Sequence, residues 1–230
     1  EKTGKPMPIF SHGIDGSRLQ LWLTEDWKLK AVVDSMEYVS TEVVDTGKLQ
    51  HVALMYNITD KTLQLFNDSV IGTFDKVKYR GYGPLVFGAT NESDVTERSH
   101  YAGRMLEARV WNRTMTEALM RSYGGYQLTG YEMGLVDYYQ MNEGEGNYIV
   151  DKAQGADAQI TNVSWALPRG MSLRLDWSEE KEVKGMHLLT DRMRRSEEQD
   201  YTLMFWFKTT ERGKGALVSN GSGRSTDVNP

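Results

Sequence analysis

Between Tyr101 and Trp165 the backbone period changes twice, and this constrains the fold more than any other feature of the chain. Met105, Glu107, Arg109 and Trp111 alternate with Leu106, Ala108 and Val110, the period of a half-buried strand. The polar segment Asn112-Arg-Thr-Met-Thr-Glu follows. A hydroxyl of Thr114 or Thr116 can accept an orphan N–H of a first helical turn, and Gly124-Gly125 stops what that turn begins. One short helix is therefore expected over 116–123. A second strand, Gly134 to Met141, runs into a glycine-rich loop. Strand, short helix and strand form a frame that the rest of the chain must cover.

The remaining segments read as strands. Extended stretches are expected at 8–12, 18–23, 28–33, 37–43, 51–56, 62–66 and 84–88, with Asn57–Lys61 and Asn67–Gly72 as turns and 91–99 as an exposed loop. Short runs with turn signals at about 8–12 residue spacing indicate a β-sandwich or barrel. The only other helical candidate is Asp191–Arg195.

Composition narrows the function classes. The net charge of −5 is spread in mixed sign, and nucleic acid would require a basic face. The single basic cluster, Arg192, Arg194 and Arg195, lies beside Glu197, Glu198 and Asp200 and reads as a solvated loop. No apolar run reaches membrane-spanning length. The absence of cysteine excludes disulfides, thiolate zinc sites and a cysteine nucleophile. Of nine asparagines, six stand in Asn-x-Ser/Thr: Asn57, Asn67, Asn91, Asn112, Asn162 and Asn220. About one or two would arise by chance, and such triplets accept glycans only in a secreted eukaryotic-type protein. An extracellular or cell-surface location is expected. The first residues read as the middle of a strand-loop-strand unit, so the chain is expected to be an excerpt of a longer one.

Three motifs carry a family resemblance. Gly47-Lys-Leu-Gln-His-Val-Ala-Leu-Met-Tyr56 followed by Leu63-Gln-Leu-Phe66 resembles the "W-H-H-V-A-x-x-Y … L-x-L-Y-V-D-G" hairpin of laminin-G-like domains, with Leu49 at the Trp and Gln50 at the first His. Gly103 to Thr116 resembles their "G-x-I-D-E-V-R-I-W-N-R-A-L-S". Leu128 to Gly146 resembles "G-L-V-A-Y-W-x-F-D-E-G-x-G". The motifs occur in family order over roughly residues 5–167. The resemblance implies an all-β, concanavalin-A-like (LamG-like) antiparallel β-sandwich jelly roll with one short helix. Trp111, Tyr138 and Met141 are expected to supply bulk where two sheets pack face to face, and Gly144 and Gly146 to allow a turn with positive φ.

The C-terminal part reads as a repeat. Gly170–Asp176 and Tyr201–Lys208 look like the first two strands of the same domain type, and Gly215–Gly221 parallels Met7–Gly13 at an offset of 208 residues. Residues 1–167 are then a sandwich lacking its first strands, and 168–230 the N-terminal strands of a second copy. In the alternative arrangement, 170–208 completes the first sandwich as a permutation.

Catalytic patterns are absent from the sequence. Concanavalin-A-like glycosidases need two carboxylates across the scissile bond, and no Glu-x-Asp-x-x-Glu run is present. Glu143 and Glu145 fall in the glycine-rich loop. His12, His51, His100 and His187 lie outside any nucleophile elbow, and His51 reads as a packing or hydrogen-bonding residue. The resemblance implies Ca²⁺ as the only cofactor to consider. Leu106 replaces the family's Asp, which leaves Glu143, Asn147, Asp151 and Asp157 as oxygen donors; the competing expectation is a turn stabilised by Asp and Asn side chains. Trp22, Trp27, Tyr79 and Tyr82 are the aromatic candidates for stacking on a sugar, set against the expectation that most are buried. The expected function is a non-catalytic adhesion or ligand-binding module. It would recognise a glycan or an extracellular protein through loops at a sandwich edge, around Gly103–Asn112, with neighbouring laminin-G-like repeats as partners. A ligand-free spacer, or a remnant or accessory domain of a glycoside hydrolase, are the alternatives.

Overall fold

The computed structural model describes residues 5–13, 18–45, 47–81, 83–90, 100–153, 155–166, 173–175, 185–188 and 201–208. Tyr82, the 191–195 segment with its arginines, and 215–221 lie outside them.

Two antiparallel sheets pack against each other. The first contains β1 (Met7–His12), β2 (Leu19–Leu23), β3 (Lys28–Val33), β4 (Met36–Val43), β8 (Leu85–Phe87), β11 (Tyr148–Ile149), β12 (Ala158–Thr161) and β15 (Gly185–Leu188), in the order β11-β12-β15-β8-β1-β2-β3-β4. The second contains β5 (Gln50–Asn57), β6 (Thr62–Asn67), β7 (Ser69–Phe74), β9 (Gly103–Trp111), β13 (Ser164–Trp165), β14 (Leu173–Leu175) and β16 (Tyr201–Lys208), in the order β13-β14-β9-β16-β5-β6-β7. β10 (Leu135–Tyr139) pairs with the end of β9. The molecule is an all-β sandwich with one short helix, α1 (Glu117–Gly124).

Local chemistry accounts for most of these elements. Strands β2 and β3 alternate apolar and polar residues, burying Leu19, Leu21 and Leu23 on one strand and Leu29, Ala31 and Val33 on the other. Thr116 caps α1, its hydroxyl accepting from Leu119 N at 3.3 Å, which satisfies an orphan donor of the first turn. The expected turn at 67–72 is shorter than the sequence suggests. Asp68 adopts φ 56° and closes the turn alone. Ser69–Phe74 then runs as β7, because Val70, Ile71, Thr73 and Phe74 are β-branched or aromatic.

Strands from 173–208 occupy interior places in both sheets. β16 lies between β9 and β5, with Leu203 opposite Val110 on one side and Leu54 on the other. β15 lies between β12 and β8, and β14 between β13 and β9. Within this chain, the strands of 173–208 and those of 7–165 belong to the same two sheets.

Each sheet-facing strand sorts its side chains into two cores. Val52, Leu54, Tyr56, Leu63, Leu65, Met105, Ala108, Val110, Leu203 and the inward residues of the first sheet form the inter-sheet core. Ala53, Met55, Phe66, Trp111, Met115, Met120, Leu128, Tyr138, Ala153 and Met204 form a second core. It lies on the opposite face of the second sheet, beneath α1 and the segment after it. Trp111 and Tyr138 therefore do not sit between the sheets as the sequence led us to expect, while Met141 does belong to the inter-sheet core. Period two decides the matter: Ala108 and Val110 point inward, so Trp111 faces out.

Deleting residues 168–230 should remove an interior strand from each sheet at once. We expect that fragment to lose the cooperative thermal transition of the intact chain in circular dichroism; a monomeric fragment that melts cooperatively would contradict this topology.

Candidate functional site

The outer face of the second sheet carries a polar cluster centred on Arg109, a residue 1% exposed. Its Nη1 donates to Tyr123 O at 2.6 Å and its Nη2 to Tyr126 O at 2.7 Å. Its Nε is ion-paired with Glu107 Oε1, and its guanidinium lies over the Tyr138 ring, 5.3 Å from the centroid. Strand geometry brings these groups together: Glu107 and Arg109 stand two apart on β9 and share a face, and Tyr138 pairs with Arg109 from β10.

From this centre a hydrogen-bonded row runs toward solvent. The Tyr138 hydroxyl donates to Glu107 Oε2 at 3.5 Å and accepts from Leu128 N at 3.3 Å and Gln140 Nε2 at 3.0 Å. Asn142 Nδ2 donates to Gln140 Oε1 at 3.1 Å. A phenol offers one donor and two acceptor positions, so this hydroxyl is fully engaged. Gln140 and Asn142 are half-buried, and the Glu107 side chain is 20% exposed. Burial pushes the Glu107 carboxyl above its ordinary pKa, while Arg109 and the Tyr138 hydroxyl pull the other way.

His51 closes the buried side of the cluster. Its ring meets Phe66 edge-on at 5.3 Å. A Cβ on Gly124 would fall 2.5 Å from His51 Nδ1, so the end of α1 can rest there only as glycine. Burial, reinforced by the charge of Arg109, holds the imidazole pKa down to about 3.

The segment after α1 presents the most exposed aromatic residues. Tyr126 is 67% and Tyr131 78% exposed, beside Met133 at 81%. Glu132 organises this loop, accepting from Thr129 N at 2.8 Å, Thr129 Oγ1 at 2.9 Å and Gly130 N at 3.0 Å. Gly130 has φ 91°, and a Cβ there would meet Lys152 O at 1.9 Å. No sequence pattern marks these tyrosines, since the stretch from Tyr126 to Met133 has neither period.

The aromatic candidates from the sequence are scattered. Trp22 is half-buried on the outer face of the first sheet, its Nε1 donating to Gln20 Oε1 at 3.0 Å with Lys30 Nζ 5.7 Å from the ring centroid. Trp27 sits at φ 62° in the turn between β2 and β3 and packs against the inter-sheet core. Tyr79 is 1% exposed, its hydroxyl bonded to His12 and its ring edge-on to His12 and Tyr56. A ring enclosed on both faces cannot stack on a sugar, so Tyr79 is corrected from binding candidate to core residue. Tyr82 lies outside the described residues.

Three of the oxygen donors expected for Ca²⁺, Asp151, Asp157 and Glu143, accept from backbone amides. Asp151 Oδ1 accepts from Tyr138 N at 2.7 Å and Ala153 N at 2.9 Å, and its Oδ2 accepts from Gly155 N. Asp157 Oδ1 accepts from Asp151 N at 3.1 Å, and Glu143 Oε1 from Val150 N at 2.9 Å. Asn147 is exposed at the start of the β11–β12 hairpin, where its carbonyl accepts from Ile160 N at 2.9 Å. Among the described residues no three His, Cys, Asp or Glu side chains come together as a metal site. These hydrogen bonds fold the 143–160 segment onto β10. Gly155 belongs to the same arrangement, since a Cβ there would fall 2.3 Å from Asp137 Oδ1 and from Asp151 Oδ2.

No protein-family model, curated protein or solved structure matches this chain.

Two measurements check this geometry. His51 is neutral when folded and takes a proton near pH 6.5 when unfolded, so its contribution is complete above that pH and is lost as pH falls toward about 3. The loss is on the order of 3 kcal/mol by pH 4. Glu107 offsets part of it, so the comparison with His51→Gln isolates the imidazole: the variant should show a shallower decline in melting temperature between pH 7 and 4. Asp151→Ala should cost about 2–3 kcal/mol, the range for lost hydrogen bonds to a charged group, and added Ca²⁺ or chelator should leave the parent's melting temperature unchanged.

Proposed function

We propose that this chain is a non-catalytic, extracellular recognition module of the laminin-G-like jelly-roll type, and that it binds a glycan on the outer face of its second sheet. The observation that carries the proposal is the row Asn142–Gln140–Tyr138–Glu107, pinned by Arg109. Two half-buried amides and a partly exposed carboxylate form a line of donors and acceptors, held in place by the buried Tyr138 hydroxyl. Sugar hydroxyls each donate and accept, so a prearranged line of this kind matches them at low entropic cost. An aromatic ring suits the apolar face of a sugar, and the Tyr126 ring is exposed while its backbone is held against Arg109. The immediate partners of Glu107 are a cation and a phenol, an arrangement for holding a charge in place rather than for exchanging protons across a scissile bond. In a longer chain, neighbouring laminin-G-like repeats would be further partners, a reading supported by the likeness of 215–221 to 7–13.

The experiment is a glycan array probed with the intact chain. Binding should weaken by roughly tenfold or more in Gln140→Ala and Glu107→Gln, equivalent to about 1.4 kcal/mol, with little change in Tyr148→Ala on the far edge of the first sheet. Binding lost only on Trp27→Ala would move the site to the β2–β3 turn. A blank array from a folded protein would favour the ligand-free spacer.

A further inference from the structure

The glycan acceptor triplets in the sequence are not equivalent in the fold. Four fall on described residues, and each stands at a strand end: Asn57 closes β5, Asn67 closes β6, Asn112 follows β9, and Asn162 lies between β12 and β13. Two of the four are already committed to the fold. Asn57 Nδ2 donates to Asp60 Oδ2 and its Oδ1 accepts from Asp60 N, both at 2.9 Å, an Asx latch that holds the turn. Asn67 is half-buried in the β6–β7 turn, and its Oδ1 is sealed from solvent. The other two are more exposed. Asn112 is exposed just after β9. Asn162 is exposed with φ 53° in the crossing between the two sheets, and Ser164 of its triplet is exposed as well.

We propose that Asn112 and Asn162 are sites of N-linked glycosylation and that Asn57 and Asn67 are not. In the transfer, the asparagine Nδ2 bonds to the anomeric carbon of a polyprenyl-diphosphate-linked oligosaccharide. The anomeric C–O bond breaks, the polyprenyl diphosphate departs with the bonding electrons, and one amide proton is released. No oxidation or reduction occurs. A sugar on Asn112 or Asn162 projects from an exposed turn and leaves both cores untouched. On Asn57 it would replace one N–H of the latch and add bulk against Asp60. This inference rests on the extracellular part of the proposed function and not on the ligand-binding row.

The test is secretion of the full chain from eukaryotic cells behind a signal sequence, followed by enzymatic deglycosylation in heavy-oxygen water and peptide mass spectrometry. The expected result is isotope label at Asn112 and Asn162, with Asn57 and Asn67 unlabelled. Thr114→Ala and Ser164→Ala keep each asparagine but break its triplet, and each should remove one glycan mass without lowering the melting temperature. A secreted, folded chain with bare Asn112 and Asn162, or with label at Asn57 or Asn67, overturns the proposal. Glycan-array binding by the same secreted protein is read separately, so failure of this inference and failure of the recognition function are distinguishable.

Discussion

A guanidinium buried at the middle of a strand is the constraint on which the outer half of this molecule depends. Removing a charge from water costs several kcal/mol unless partners replace the lost hydration. Arg109 recovers that cost from Glu107 on its own strand, the Tyr138 ring on the neighbouring strand, and the carbonyls of Tyr123 and Tyr126. Tyr123 lies in the last turn of α1, where carbonyls lack the N–H donors of a following helical turn and the helix dipole favours a cation. The same contacts that stabilise Arg109 thus dictate where the helix ends and where the following segment leaves it. Gly124 against His51 completes the junction.

The second sheet consequently serves as a wall shared by two cores. Successive residues on β5 alternate between them, Val52, Leu54 and Tyr56 to one side, Ala53 and Met55 to the other. On β9 the register shifts opposite Trp206 and Phe207, and the extra residue lets Met105 join the inter-sheet core although Glu107 and Arg109 face outward. A bulge re-aims side chains in this way at the cost of one unpaired residue. Here the shift lies beside Glu107, whose side chain stays 20% exposed. The row from Glu107 to Asn142 thus starts beside the same strand irregularity that brings Met105 into the core.

Asp151 plays the corresponding role for the 143–160 segment. Its carboxylate gathers the amides of Tyr138, Ala153 and Gly155, a use of negative charge that a sequence of scattered Asp and Asn residues does not distinguish from calcium ligation. Both uses call for the same residue types in the same kind of loop. Only the direction of each oxygen separates them. Tyr79 is a similar case: aromatic residues in short strands serve cores and binding faces alike, and its contact with His12 spans 67 positions of sequence.

Local chemistry determined the strands, the helix and its Thr116 cap, and the sandwich class, because period, capping and turn preference act over a few neighbouring residues. It also placed Glu107, Arg109 and Trp111 on one face of one strand. It did not show that this face looks away from the inter-sheet core, since alternation assigns residues to two sides without naming which side is inside. It did not reveal that Asp68 alone suffices for a turn, and it left open whether 170–208 completes the first sandwich or begins a second, since pairing partners are chosen by burial across long separations. The row from Asn142 to Glu107 came from tertiary structure for the same reason: a hydrogen-bonded line needs distances and directions, and those exist only once β9, β10 and the segment after α1 have been brought together around Arg109.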